Sequence, residues 1–437
     1  MNTNTPINYE KAKAAIDSFG IPKFENATIR DIVNIANKIE QETGEKFVRL
    51  EMGSPGFPPE KIGVEAEIEA MKKGIASKYP PLQGIPELKN AASRFIKAFI
   101  DIDITPESCI PTSGSMQGCY ASFLVCGQCD KKKNKILFID PGFPVQKTQL
   151  KVLGMGYESF DTFNYRGEKL AEIIESKLKS GEFCAMLYSN PNNPAWTCLT
   201  DSELKSIGQL ATKYDVIVIE DLAYFGMDFR QDITKPFEPP YQPSVAKYTD
   251  NYIMMISGSK AFSYAGQRIA VTAISDKLYK REYEGLKNRY GIGGFGPVYV
   301  NRVLYTLSSG TAHTPQYALA AMLNAASNNE YNFLHDVYEY GRRAQKLKEI
   351  FLKNGFHIVY EKDIDNPVGN GFYFTIGYKN KTGVQLMYEL LFYGVSAISL
   401  NSTGSQQEGL RICTSFVQDN QYETLDERMR IFHLNNQ

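Results

Sequence analysis

Short apolar runs alternate with longer amphipathic stretches through the middle of the chain, the pattern of successive β–α–β units. The predicted strands are Lys135–Ile139 (KILFI), Cys184–Tyr188 (CAMLY), Val216–Ile219 (VIVI), Tyr252–Ile256 (YIMMI) and Ile269–Ile274 (IAVTAI). Helices are predicted between them at Gly167–Lys179 and Asp201–Lys213, the second opened by Thr200 as an N-cap ahead of Glu203. From about Gln316 to Lys353 the pattern is helical, with a break expected at Asn328–Asn329. Strand-like pieces follow at His357–Tyr360, Gly371–Ile376, Val395–Ile398 and Leu410–Ile412. The expected fold class is α/β: a large, mainly parallel sheet with helices on both faces over residues 71–325, and a smaller α+β domain over residues 326–437. The N-terminal segment, residues 1–70, is expected to pack with that smaller domain.

Composition narrows the setting without touching chemistry. With 437 residues, 43% of them hydrophobic and 22% charged, the chain is long enough for two cores of ordinary globular composition. A formal net charge of −1 offers no global field for nucleic acid or an acidic membrane surface. The basic run Lys131–Lys133 reads as a solvated loop before a strand. No apolar run has the length to span a bilayer, and the polar stretch Met1–Lys13 lacks the order of a signal peptide. Seven cysteines without framework spacing fit a reducing compartment, so a cytoplasmic protein with neither membrane nor nucleic-acid partners is expected.

Several short motifs are set aside. Gly291-Ile-Gly-Gly-Phe-Gly296 satisfies G-x-G-x-x-G but follows a charged helical stretch, Leu278–Arg289, and is expected to be a loop before a helix. Cys126-Gly-Gln-Cys129 is expected at the C-terminal end of a helix that closes near Val125, with Gly127 as its stop. A redox pair needs a helix N-terminus to stabilise the thiolate. His313, His335, His357 and His433 are scattered, so no metal is expected.

Polar and Gly/Pro-rich segments sit directly after the central strands. Asp140-Pro-Gly-Phe143-Pro follows KILFI, and Ser189-Asn-Pro-Asn-Asn193-Pro follows CAMLY. Glu220-Asp221-Leu-Ala-Tyr224 follows VIVI, and Ser257-Gly-Ser259-Lys260 follows YIMMI. Ligands of an open parallel sheet bind at the carboxyl ends of its strands. The four segments therefore bring a lysine, an acid, an amide, a phenol and an aromatic ring to one place.

In these residues, and in the G-x-R that ends at Arg268, the chain resembles the class I/II aminotransferases. These are fold-type I enzymes dependent on pyridoxal phosphate, with aspartate aminotransferase as the best-known member. The resemblance runs from about Gly53 to Arg411. It implies that Lys260 forms the Schiff base with the cofactor, a step that needs an uncharged amine. Arg268, Ser257 and Ser259 would hold the phosphate together with Gly114, Ser115 and Met116 at a helix N-terminus. Asp221 would keep the pyridine nitrogen protonated, making the ring an electron sink. Asn193 and Tyr224 would bond the ring oxygen, and Phe143 would stack on the ring.

For the substrate, the resemblance implies that Arg411 grips the α-carboxylate and that the segment of Gly53 closes over it. Tyr79 and the Ser308–Thr311 segment would reach the cofactor of a neighbouring subunit, hence a homodimer with shared sites. The chain departs from the family pattern at Ala195-Trp196, where Trp196 is expected to reshape the pocket's edge, and at Ile269-Ala270. Specificity is expected in loops around Ser54–Phe57, Trp196 and Gly291–Tyr299. The implied activity is transfer of an amino group from an α-amino acid to a 2-oxo acid. A β-lyase or other α,β-elimination uses the same residues, and a regulatory protein that keeps the cofactor as a ligand is the alternative from another class.

Overall fold

The computed structural model of the protein describes residues 4–21 and 24–437; Met1–Thr3 of the polar N-terminal stretch and residues 22–23 lie outside the described residues. Seven strands build the large sheet: β1 (Cys109–Thr112), β2 (Lys135–Asp140), β3 (Gly156–Asp161), β4 (Phe183–Ser189), β5 (Ile217–Leu222), β6 (Tyr252–Ser257) and β7 (Ala270–Ile274). Their spatial order is β1-β7-β6-β5-β4-β2-β3. Pairing is parallel from β3 through to β6, and only β7 runs against its neighbours β6 and β1. The α/β fold with a mainly parallel sheet is therefore as expected.

Successive strand residues point to opposite faces of a sheet. Leu137 and Ile139 of β2 join Met186, Val218 and Met254 in the core on one face. Ile136 and Phe138 join Leu187, Ile219 and Ile253 on the other. Because both faces are covered, these strands are apolar throughout and legible as continuous runs. The two strands that the pattern does not announce are the edges. β1 carries Pro111, and β3 (GYESFD) is exposed over its first residues.

Helix Asp201–Tyr214 opens on a capping box, in which Thr200 Oγ1 accepts from Glu203 N–H and the Glu203 carboxylate accepts from Thr200 N–H. Other boundaries differ from expectation. The long helical stretch divides into His313–Ser327 and Tyr338–Lys353, so its break spans residues 328–337, where Phe333, Leu334 and Val337 turn into the core. Helix Gly114–Cys129 continues through Gly127, correcting both the stop expected there and the end expected near Val125; Met155 packs against that glycine and leaves it helical. Leu278–Arg289 is two short helices, Asp276–Lys280 and Glu284–Tyr290.

A second, antiparallel sheet contains β8 (His357–Ile358), β9 (Tyr373–Gly377), β10 (Ile398–Ser399) and β11 (Leu410–Cys413) in the order β10-β11-β9-β8. The single strand expected over Val395–Ile398 is split, because Val395–Ser396 pairs instead with Val48–Arg49 in parallel. Helices Tyr9–Asp17 and Ile29–Thr43 bury Ile16, Ile32, Ile35 and Ile39 in one core with Leu347, Phe374, Leu386 and Phe432. Residues that precede Gly53 are thereby fixed beside β9 and β11. Among the described residues no helix is long and apolar enough to cross a membrane.

Candidate active site

A cavity of about 520 Å³ opens at the carboxyl ends of β4, β5 and β6 and is walled on its far side by Tyr373 of β9 and Arg411 of β11. It collects residues that the strand-end segments placed there in the sequence: Phe143, Asn193, Asp221, Tyr224, Ser257, Ser259 and Lys260. Ser115, Met116, Arg268 and Gly53 complete the lining among the residues singled out by the sequence.

One end is made for an anion. Helix Gly114–Cys129 begins there, and its first residue has φ +67, a conformation glycine adopts freely. A Cβ on Gly114 would stand 2.5 Å from Arg268 Nη2, so a larger residue there would push the guanidinium away from the helix N-terminus. Arg268 donates from Nη1 to the Ala265 carbonyl at 2.7 Å and has no ion pair among the described residues. Ser115 Oγ is buried without a partner, while Ser257 Oγ accepts from Ser259 N–H at 3.1 Å. Free N–H groups, a guanidinium and hydroxyls at a helix start attract phosphate-like charge.

At the centre, Asp221 and Glu220 occupy successive positions of β5 and face opposite ways. Glu220 is locked in the core by the hydroxyls of Tyr188 (2.7 Å) and Ser244 (2.5 Å). Asp221 faces the cavity, accepting from Ala223 N–H at 3.1 Å and from Gln146 Nε2 at 3.0 Å. With no cation against it, burial pushes the Asp221 carboxyl up to about 6. Lys260 follows β6, and its Nζ donates to the Gly53 carbonyl. Burial lowers its amine to about 8, and the nearby Arg411 and Arg268 cations add to that. An amine so placed is uncharged, and nucleophilic, in a useful fraction of molecules near neutral pH.

The other end is built around Arg411, which is 2% exposed. Its Nη2 donates to the Glu51 carbonyl at 2.5 Å, its Cζ lies 4.8 Å from the centre of the Tyr373 ring, and its Nε has no partner. No carboxylate pairs with it among the described residues. The Glu51 carbonyl is held in turn, because the Glu51 side chain is clamped by Arg49 at 2.6 Å and by the Ser396 hydroxyl at 2.6 Å. Tyr224 donates its hydroxyl proton to Tyr373 Oη at 3.0 Å.

Two expectations change. Trp196 does not form the pocket's edge: it is 1% exposed and stands behind the wall, edge-on to Tyr224 and Tyr373 at 5.5 and 6.2 Å. The Gly291–Tyr299 segment does not line the cavity within this chain, because Phe295, Val298 and Tyr299 are buried in the core beneath helix Gly114–Cys129. Tyr79, expected to serve a neighbouring subunit, is 89% exposed and lies outside the cavity of its own chain. Conversely, Ile29, Gln146 and Tyr373 belong to the site and were not singled out. Gln146 is three residues past Phe143, and nothing in its own neighbourhood distinguishes it. Tyr373 lies in a strand read only as an apolar run.

Residues 45–429 match the family described as aminotransferase class I and II. The chain belongs to that family. Among curated relatives, a probable aspartate aminotransferase of Methanocaldococcus jannaschii is 25% identical over 258 residues, 58% of this chain and 62% of the relative. A (5-formylfuran-3-yl)methyl phosphate transaminase of the same organism is 24% identical over 84% of this chain and 86% of its own length. Of solved structures, an aminotransferase from Mycobacterium tuberculosis superposes with a TM-score of 0.74 at 19% identity, covering 95% of this chain and 98% of the other, which bears on the fold. Members of class I and II use pyridoxal phosphate, and the donors present fit such a group. Ser115 Oγ, Asn193 Oδ1 and Arg411 Nε line one cavity, buried and unsatisfied, although buried polar atoms in folded proteins are nearly always paired. The oxygens of such a cofactor and its substrate would satisfy them.

Proposed function

We propose that this chain is a pyridoxal phosphate-dependent aminotransferase that carries its cofactor on Lys260 and moves an amino group from an α-amino acid to a 2-oxo acid. The observation that carries this reading is the buried Arg411 guanidinium, which has no acid partner among the described residues yet shares a cavity with the Lys260 amine and the Asp221 carboxyl. A buried cation left without a counter-charge costs several kcal/mol. The site therefore favours an anion that arrives with the substrate, and a fork-shaped guanidinium matches an α-carboxylate.

Pyridoxal phosphate, when bound, supplies an electron sink for the carbanion left by removal of the Cα proton. Ser115, Ser257, Ser259, Arg268 and the backbone of Gly114–Met116 would hold its phosphate; Asn193 and Tyr224 its ring oxygen; Phe143 its ring face. Asp221 would hold a proton on the ring nitrogen, and that cation would draw the carboxyl back below about 6. Gln146 fixes the direction of this carboxyl from behind. Lys260 Nζ, kept partly uncharged by its surroundings, takes the Cα proton and later gives it up. Arg411 would hold the substrate carboxylate and so fix which Cα bond meets the Lys260 amine, and the segment of Gly53 would close over the substrate.

We also assign the chain a cofactor-binding unit over 71–325 and a smaller unit over 326–437 with residues 1–70; the core shared by the first two helices with β9 and β11 supports this for residues up to Leu50, while helix Lys61–Lys72 packs on His313–Ser327. A homodimer in which Tyr79 and Ser308–Thr311 serve the partner's site is supported by the exposure of Tyr79, Tyr305 and Leu307. A cytoplasmic setting is supported by seven unpaired cysteines, all but Cys198 fully buried.

The test is a half-reaction. Purified holoenzyme is mixed with single amino acids without an acceptor, and borohydride is used to fix the cofactor before peptide mapping. The expected result is loss of the lysine-bound absorbance with one equivalent of the matching 2-oxo acid, and an adduct on Lys260. Continuous release of ammonia and pyruvate would make the enzyme a β-lyase, and a protein that takes up no cofactor would end the proposal.

A further inference from the structure

Tyr373 lines the cavity, touches Tyr224, Arg411 and Gly53, and has no role in the proposed machinery so far. It sits on β9 opposite Cys413 of β11 and is 2% exposed. Its ring supports the Arg411 guanidinium from 4.8 Å, and its hydroxyl occupies the space a side chain at Gly53 would need. Among the described residues its oxygen accepts the one hydrogen bond that Tyr224 makes through its phenol, and its own proton has no acceptor.

The charged and titratable groups that act on this pair are Arg411 and Cys413, and Lys260, Asp221 and Arg268 share its cavity. Burial pushes Tyr373 up to about 12, against the pull of Arg411, and pushes Tyr224 well above its ordinary value. Burial also raises the Cys413 thiol. Both phenols are therefore neutral at working pH, and each has one proton to give. Tyr224 spends its proton on Tyr373. If Tyr224 instead donates to the oxygen of a ring bound in the cavity, its own oxygen loses a partner unless Tyr373 turns its proton round and donates back. A buried hydroxyl oxygen left unpaired is costly, and the reversal leaves none.

We infer that Tyr373 is a positioning residue: it forms with Tyr224 a two-phenol relay whose hydrogen bond reverses direction, so that Tyr224 can donate to the cofactor's ring oxygen without losing its partner. This rests on the proposed function. A donor on the ring oxygen stabilises its negative charge and weakens its hold on the proton of the nearby lysine-derived nitrogen. Loss of the relay should therefore raise the pH midpoint of the lysine-bound cofactor's absorbance.

The experiment is that spectral titration in wild type, Tyr224→Phe, Tyr373→Phe and the double variant, with melting temperatures alongside. Tyr373→Phe should raise the midpoint by about 0.4–1 pH unit, the worth of one neutral hydrogen bond. In the Tyr224→Phe background the same substitution should add nothing, because the relay has lost the member through which it acts. KM for the amino acid should stay within about two-fold, since phenylalanine keeps the ring under Arg411. A lower melting temperature with an unmoved midpoint would make Tyr373 a packing residue and overturn the relay. Equal shifts in both backgrounds would overturn it too. A protein without cofactor absorbance would instead defeat the aminotransferase reading, so the two failures are distinguishable.

Discussion

At the anion-binding end of the cavity, Ser257, Ser259, Lys260 and Arg268 come from one short stretch that leaves β6 and returns along β7. At the far end, Gly53, Tyr373 and Arg411 come from three segments far apart in the chain. The first group is positioned by local backbone. The second is positioned by tertiary packing: the Glu51 carbonyl that steadies Arg411 depends on Arg49 and Ser396, and so on the pairing of Val48–Arg49 with Val395–Ser396. The lesson is a division of labour. In the proposed reading the locally built part holds the cofactor, and the part built at long range meets the substrate.

If chemistry belongs to the groups around Lys260 and Asp221, a change there should strike turnover hardest. Asp221→Ala should lower kcat by roughly 10²–10³-fold, the usual consequence of removing one preorganised charge from the reacting centre, with a much smaller change in KM. Steady-state kinetics in which KM takes most of the loss would break the division. The far half should act on recognition. Arg411→Lys keeps the charge and loses the fork, so kcat/KM for an amino acid should fall roughly ten- to hundredfold. The defect should vanish for the corresponding amine without a carboxylate. Equal losses for both would mean that Arg411 supports the fold and reads no substrate.

The smallest effect joins the two halves, because Arg268 at one end and Arg411 at the other both lower the Lys260 amine. With its midpoint at about 8, the amine is charged below that pH and free above it. Capture of the cofactor by apoenzyme should thus quicken about five-fold from pH 7 to 8 and level off beyond. Arg411→Met should move the midpoint up, and Arg411→Lys should leave it in place. Stopped-flow absorbance across pH separates them, and identical midpoints in both variants would exclude any influence from the far end.

The same division decides what could be read from the residues alone. The central strands were legible because burial on both faces makes them wholly apolar, and the strand-end segments were legible because an open parallel sheet gathers them. The edge strands β1 and β3 escaped through Pro111 and through partial exposure. Gln146, Tyr373 and the inward turn of Trp196 escaped for another reason. Each owes its place to a neighbour distant in sequence: Asp221 for Gln146, Tyr224 for Tyr373, and Gly371, whose missing side chain makes room for the indole, for Trp196. Hydrophobic pattern records which face a residue buries and carries no trace of which polar atom it meets.

The contact between Gly53 and Tyr373 constrains the order in which this site can change over generations. A Cβ at position 53 would overlap the tyrosine oxygen, yet the ring carbon that bears that oxygen stands 3.4 Å away, an ordinary distance. The backbone of Gly53 is not in the left-handed region, so alanine is barred by that single atom. Gly53→Ala should therefore be harmful in the present sequence and tolerated once Tyr373→Phe has occurred. One mutation opens the door for the other, and a lineage that tries them in the opposite sequence must first pass through a damaged intermediate.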